Sequence, residues 1–176
     1  QVPMDSVMMH RFPFPWGVLK PTDVTVTRFA WDEEVATLIN VHLHTVMEEK
    51  PWSTPSFRWY HPADWAQTLR AYREGALRRA AEARRVRQLM DAVDGPLIVT
   101  GDFNSTPYNW AYHHLARGMQ DAFTAAGRGL GYTYPAGGPL VRIDYVLASD
   151  HWEVVEAWVP DATTLSDHRP VLADLR

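Results

Sequence analysis

Apolar and polar residues alternate near the start of the chain. In "DVTVTRF", residues 23 to 29, Val24 and Val26 fall on one face, the pattern of a half-buried strand. "VATLINVHLHT", residues 35 to 45, predicts a longer strand whose polar interruptions come late, at Asn40, His42 and His44. A loop rich in proline and aromatic residues follows, from Pro51 to Pro62. The period then changes. Trp65, Leu69, Tyr72, Ala76, Ala80, Ala83, Val86, Met90 and Val93 recur at spacings of three and four, one apolar stripe of a long helical region. Gly75 is expected to divide it into two helices. Gly95 and Pro96 end it, and "PLIVTG" begins a strand. "NWAYHHLAR" is expected as a short helix closed by Gly118, and "RIDYVLAS", "WEVVEAWV" and "PVLADLR" as further strands.

Strands and helices therefore alternate, which predicts an α/β fold. With 176 residues the chain is long enough for one domain with a substantial core. The domain is expected to span residues 1–176. Hydrophobic residues make up 46% and charged residues 22%, the balance of an ordinary globular protein. No stretch approaches the ~18 apolar residues that span a bilayer. There is no cysteine, so neither a disulfide framework nor a thiolate metal site is available. That absence suits the cytoplasm and an extracytoplasmic space equally. Gln1 in place of an initiator methionine points to further residues before it.

The net charge of -4 lowers the expectation of a protein that coats long nucleic-acid duplexes, whose affinity comes chiefly from Lys and Arg on phosphates. Many of the arginines lie in "RAYREGALRRAAEARRVR", which suits a solvated helix face with Glu74 and Glu82 interspersed. Trp52, Trp59 and Trp65 are better placed to anchor the aromatic loop on the helix than to stack on bases.

Four segments, "INVHLH", "VTGDFNSTP", "RIDYVLAS" and "LSDHRPVLADL", share one feature: an apolar strand or its margin carries Asp, Asn or His. A buried carboxylate costs several kcal/mol unless it is paired or holds a metal. Four such segments in a small domain suggest that their polar groups converge. In layered α/β folds ligands bind where strands end. Asp and Asn oxygens are hard ligands suited to Mg²⁺ or Mn²⁺. With histidine they supply the parts of phosphoester hydrolysis: a metal, an activator of water, and donors for phosphate oxygens. Each residue also has an ordinary structural alternative. His42 could be a strand histidine bonded to a neighbour, Asp102 and Asn104 an Asx turn, Asp144 a paired core carboxylate, and "SDH" a loop cap. Arg142 could hold a phosphate or form an ion pair.

"GDFNSTP", "IDYVLAS" and "SDHRPV", in this order and spacing, resemble the endonuclease/exonuclease/phosphatase superfamily, whose fold is that of pancreatic-type deoxyribonuclease. The likeness runs from about "HRFPF" to the last residue, and "GRGLGYTYP" is similar to bacterial members, some of them membrane-anchored and active on phospholipid-type substrates. It implies a two-sheet β-sandwich flanked by helices and a Mg²⁺- or Mn²⁺-dependent phosphoester hydrolase. By the same resemblance His42 donates to a phosphate oxygen, and Asp102 positions or activates the attacking water. Asn104 orients the phosphate, and Asp144 orients His168, which faces the water or phosphate. Asp167 is the implied metal ligand, with Asp102 and Asn104 beside it.

The family also has an early strand ending in Asn and an early metal-binding Glu, and neither is found here. Glu33, Glu34, Glu48 and Glu49 do not match that Glu in spacing. The chain is accordingly expected to be the C-terminal two-thirds of such a domain, without its first strands. The acidic charge and the bacterial resemblance favour a lipid or small-molecule phosphoester over DNA. Two alternatives stand beside this: a metal-dependent nuclease, and an inert fragment or binding module that retains half a site.

Overall fold

The computed structural model describes residues 4–11, 23–46, 57–138, 140–161 and 166–176, with the backbone alone for residues 4–11 and 23. Trp52, Glu48, Glu49 and most of "HRFPF" lie outside the described residues.

The alternating segments form the strands expected of them. β2 (Asp23–Trp31) and β3 (Glu34–His42) pair as an antiparallel hairpin. Its two-residue turn is carried by Asp32, in the left-handed region at φ 54°. β1 (Met4–Arg11), which the sequence pattern did not predict, pairs antiparallel with the outer side of β2. The chain crosses from β3 through helix α1 (Pro62–Asp91) to β4 (Leu97–Asp102), which runs parallel to β3. A connection of this length is what a parallel pair requires. Helix α2 (Trp110–Ala116), the two-residue β5 (Gln120–Asp121) and the short helix α3 (Ala122–Ala126) precede β6 (Asp144–Ala148). β6 returns antiparallel to β4, which completes a sheet of order β1-β2-β3-β4-β6-β5. β7 (Val154–Trp158) and β8 (Leu172–Leu175) form a second, two-stranded sheet.

The two faces of the large sheet have different tasks. Val24, Val26, Ile39, Val41, Leu97, Val99, Tyr145 and Leu147 turn toward Ala83, Val86 and Met90 of α1 and Ala111, Tyr112 and Leu115 of α2. Each fully buried aliphatic side chain there contributes about 1.5–3 kcal/mol. On the opposite face Ala36, Ile98 and Ala148 meet Trp152, Val154 and Leu175, so the second sheet packs across the first. The period of two along β3 thus sends Ile39 and Val41 into the helix-side core and leaves Asn40 and His42 exposed on the other face.

α1 departs from its expected form in two ways. It is one continuous helix through Gly75. At Gly75 a Cβ would collide with the backbone of Val46, so the glycine serves close packing. The apolar stripe also holds only in the C-terminal half, because burial of the helix begins at Gly75; Trp65, Leu69 and Tyr72 are exposed. Trp65 does anchor the preceding segment. Its ring meets Phe57 edge-on and its indole N–H donates to the Trp59 carbonyl at 2.6 Å, while Trp59 itself projects outward. Among the described residues no helix is long and apolar enough to cross a membrane.

Candidate active site

Three adjacent strands deliver the site as one row. In the β3–β4 register His42 lies opposite Asp102, and in the β4–β6 register Asp102 lies opposite Asp144. All three belong to the face turned away from α1. β3 and β4 approach closely at Gly101, where φ is 128° and a Cβ would collide with the Val41 carbonyl. The strand-to-loop break at "TGDFN" therefore needs glycine, and it places Asp102 at the rim.

The loop after Asp102 is fixed from both sides. Asn104 adopts φ 46° and donates its backbone N–H to Asp102 Oδ1 at 2.7 Å, an Asx turn. Its side-chain Nδ2 donates to the Leu43 carbonyl at 2.8 Å and to Asp102 Oδ2 at 3.1 Å. Both amide protons are thus used within the protein. The ordinary structural role of this Asp–Asn pair and its place in the row coexist. Phe103 is buried with its ring 4.9 Å from that of Tyr145. The Tyr145 hydroxyl lies 2.7 Å from the Ser105 carbonyl and 2.8 Å from that of Arg142, joining this loop to the approach of β6.

His168 arrives from the far end of the chain. Its Nδ1 is 2.9 Å from Asp144 Oδ2, and its Nε2 is 4.0 Å from Asp102 Oδ2. His42 Nε2 is 3.7 Å from the same oxygen of Asp102. Two imidazoles therefore face one carboxylate oxygen, and a second carboxylate sets the orientation of one of them. Such a carboxylate fixes which ring nitrogen carries the proton and leaves Nε2 to exchange one with a ligand.

An isolated antiparallel bridge between Tyr134 and Val141, which the sequence pattern did not reveal, holds the His168 loop. Thr133 N–H donates to the Val141 carbonyl at 2.8 Å, and the Thr133 carbonyl accepts from Arg169 N–H at 2.8 Å. Ala136 N–H donates to the Asp167 carbonyl at 2.7 Å, and Arg169 Nε donates to the Ala136 carbonyl at 3.0 Å. The Tyr134 ring lies 4.8 Å from the His168 ring. Thr133 is fully buried, and its Oγ1 accepts from the backbone N–H of Ile143 and Asp144 at 3.2 and 3.4 Å. One side chain thus links the start of β6 to the loop that carries its partner histidine. Its sequence signal is weak, a lone Thr before "YP".

Burial pushes the Asp102 carboxyl above its ordinary range. The Asn104 N–H opposes this, the Asp144 charge adds to it, and the two histidines oppose it. For His168 burial disfavours the charged ring, but the hydrogen bond and charge of Asp144, with Asp102 and Asp167, outweigh burial and raise its pKa. Asp144 and His168 also border a cavity of about 540 Å³ walled by Thr100, Val146, Arg169 and Val171.

The structure thus brings together His42, Asp102, Asn104, Asp144 and His168. Asp102, Asp144 and His168 each place a ligand atom within 4.8 Å of the others, a donor set of carboxylate oxygens and one imidazole that fits a hard divalent cation. Asp167 is exposed, and its carboxylate is not part of that cluster. Arg142 is buried and held by Asp121 at 2.9 Å and Thr124 at 3.1 Å, its guanidinium over the Phe123 and Tyr145 rings. It lines a different cavity, of about 480 Å³, with Tyr108, Leu130 and Leu140.

The sequence matches the endonuclease/exonuclease/phosphatase family over residues 8–168. The chain belongs to this family. Endonuclease/exonuclease/phosphatase proteins are in general hydrolases of phosphoesters and use divalent metal ions. No curated protein matches the sequence. Solved structures share the fold. A functionally unknown conserved protein from Enterococcus faecalis V583 is 17% identical with a TM-score of 0.72, over 99% of this chain and 67% of that one. The mannosyl-6-phosphatase of Bacteroides thetaiotaomicron VPI-5482 is 18% identical with a TM-score of 0.61, over 92% and 59%. The human nocturnin catalytic domain, with a bound sulfate anion, is 17% identical with a TM-score of 0.62, over 99% and 60%. The chain spans 59% of the mannosyl-6-phosphatase and 60% of nocturnin. These likenesses identify the deoxyribonuclease I-like fold of two packed sheets with flanking helices.

Proposed function

We propose that this chain carries the hydrolytic site of a Mg²⁺- or Mn²⁺-dependent phosphoester hydrolase in which water attacks phosphorus in line. The observation that carries this reading is the row His42, Asp102, Asp144 across three strands, closed by His168 on Asp144. Asp102 and His168 serve the attacking water. Asp144 holds the His168 ring so that Nε2 faces the reacting atoms. His42 donates to a phosphate oxygen, and Asn104 fixes the orientation of Asp102 and the end of β3. Asp167, Asp102 and Asn104 would hold the cation, which supplies charge stabilisation for the phosphate and leaving oxygens. Reaction proceeds without a covalent enzyme intermediate.

The preferred substrate class is a lipid or small-molecule phosphoester. The net charge of -4 supports this over a long nucleic acid, and so does structural likeness to a protein named as a mannosyl-6-phosphatase. The test is hydrolysis of a chromogenic diester, a chromogenic monoester and plasmid DNA with Mg²⁺ or Mn²⁺, each beside His168→Ala. Metal-dependent turnover lost in the variant is expected, with the esters preferred to plasmid. Folded protein that turns over none of the three would refute the reading. Plasmid cleavage that falls steeply with salt, without ester turnover, would make it a nuclease instead.

A further inference from the structure

α1 brings two charged side chains to the back of this site. Arg79 and Glu82 are 8% and 1% exposed, although the helix run that contains them suggests a solvated face. Both lie on the buried side with Ala83, Val86 and Met90. Glu82 Oε2 accepts the His44 backbone N–H at 2.7 Å, two residues beyond His42. Arg79 Nη1 donates to the Asn104 carbonyl, two residues beyond Asp102. These two peptide groups follow the two strand exits of the site. The exits are already tied to each other, since Leu43 N–H donates to the Asp102 carbonyl at 2.9 Å and Asn104 Nδ2 to the Leu43 carbonyl at 2.8 Å. Arg79 and Glu82 close that linkage into a ring that runs through the helix.

Stability alone gives little reason for charges there. A buried charge is costly even where it is hydrogen-bonded, Glu82 Oε1 has no hydrogen-bond partner among the described residues, and Ala83, Val86 and Met90 already hold the helix on the sheet. We propose that Arg79 and Glu82 are positioning residues of the hydrolytic site, a clamp that sets the spacing between the His42 and Asp102–Asn104 strand ends. This rests on the phosphoester reading above. Arg79 acts through Asn104, whose left-handed backbone it holds by the carbonyl, and Glu82 acts through the segment that follows His42.

The test combines turnover with amide exchange. Arg79→Met should lower kcat by about tenfold or more with KM within about twofold, as expected when reacting groups shift by a fraction of an ångström. In a double-mutant cycle, Arg79→Met added to Asn104→Gly should cost no further activity, because Gly keeps the left-handed backbone but removes the side chain Arg79 positions. Additive losses, or an unchanged kcat in Arg79→Met, would overturn the proposal. Independently of activity, the His44 amide should exchange about tenfold faster or more in Glu82→Met and stay protected in Glu82→Gln, which keeps the acceptor. Core amides at Ile39 and Val99 should be unaffected in both. Unchanged His44 exchange in Glu82→Met would refute the clamp. Should the wild-type protein hydrolyse no ester, the phosphoester reading fails by itself and His44 exchange alone decides whether the clamp exists.

Discussion

Asp144 lies directly across the sheet from Asp102, carboxylate beside carboxylate on one face of neighbouring strands. Like charges in that relationship disfavour a sheet. Here His168 stands between them, 2.9 Å from one and 4.0 Å from the other. The pair is therefore one electrostatic unit. A change at Asp144 must be felt at both of its neighbours.

Asp144→Asn tests that coupling directly. It removes a negative charge that raises the Asp102 pKa and the hydrogen-bonded charge that raises the His168 pKa. Both pKa values should fall. Carboxyl and imidazole titrations followed by ¹³C and ¹⁵N NMR would measure the two shifts together. A fall at His168 with no change at Asp102 would show that the two carboxylates are electrically separate.

The raised His168 pKa also has a consequence for stability. A group whose pKa is higher folded than unfolded stabilises the fold fully below its unfolded value, about 6.5 for His. It loses that contribution as pH rises through the folded value. The unfolding free energy of the wild type minus that of His168→Gln should therefore decline from about pH 6.5 upward and level off once the folded ring is neutral. Urea melts across that range give the difference. A difference that grew with pH would mean that burial, not Asp144, controls the ring.

Legibility in the sequence followed the length and regularity of the pattern. The strand ending at His42, the strand ending at Asp102 and the strand opened by Asp144 are marked by apolar runs with a polar residue at one end. Their convergence is what a layered α/β fold does with strand ends. β5, of two residues, and α3, of five, are too short to show a period. The Tyr134–Val141 bridge rests on backbone hydrogen bonds, which leave little trace in side-chain chemistry. Arg79 and Glu82 were hidden by their charge. Spacing was the better guide, since Arg79, Ala83, Val86 and Met90 follow one another at intervals of four, three and four. Gly75 looked like a helix break because the backbone it packs against, at Val46, is distant in sequence.

Thr133 should be far less tolerant of Val than of Ser. Val preserves the buried volume but removes the Oγ1 acceptor of two backbone N–H groups, at Ile143 and Asp144. Leaving a buried donor without a partner costs about 1–3 kcal/mol. Thr133→Val should lose about that much stability in urea melts and should lower ester turnover, while Thr133→Ser retains most of both. Equal behaviour of the two variants would mean that the hydroxyl is not what holds the start of β6.

Gly101 offers a sharper contrast. Its φ of 128° is a conformation that only glycine adopts readily, and a Cβ there would strike the Val41 carbonyl. Gly118 also has a positive φ, 72°, but among the described residues nothing lies within 4 Å of its would-be Cβ. Gly101→Ala should force β3 and β4 apart beside His42 and Asp102, lowering both stability and turnover. Gly118→Ala should cost only backbone strain of about 1–2 kcal/mol and leave turnover intact. Thermal melts paired with turnover would separate the two, and comparable losses at both positions would show that close strand approach is unimportant.

The position of Asp167 poses the last test, on where a cation is held. Asp102, Asp144 and His168 form the compact donor cluster, whereas the Asp167 side chain is exposed and its backbone carbonyl accepts from Ala136 N–H. The family resemblance gives the cation to Asp167, with Asp144 occupied by His168. The two assignments differ in what a single substitution does. If Asp167 is a ligand, Asp167→Asn removes a ligand charge and should weaken Mn²⁺ binding by about tenfold or more, and Asp144→Asn, which acts through the histidine, should weaken it less. Mn²⁺ titration followed by calorimetry ranks the two variants, and circular dichroism confirms that each is folded. The reverse ranking would move the cation onto the Asp102–Asp144–His168 cluster and take His168 out of the role of serving water. Chelation by EDTA should abolish ester turnover under either assignment, so the ranking, not the chelator, decides between them.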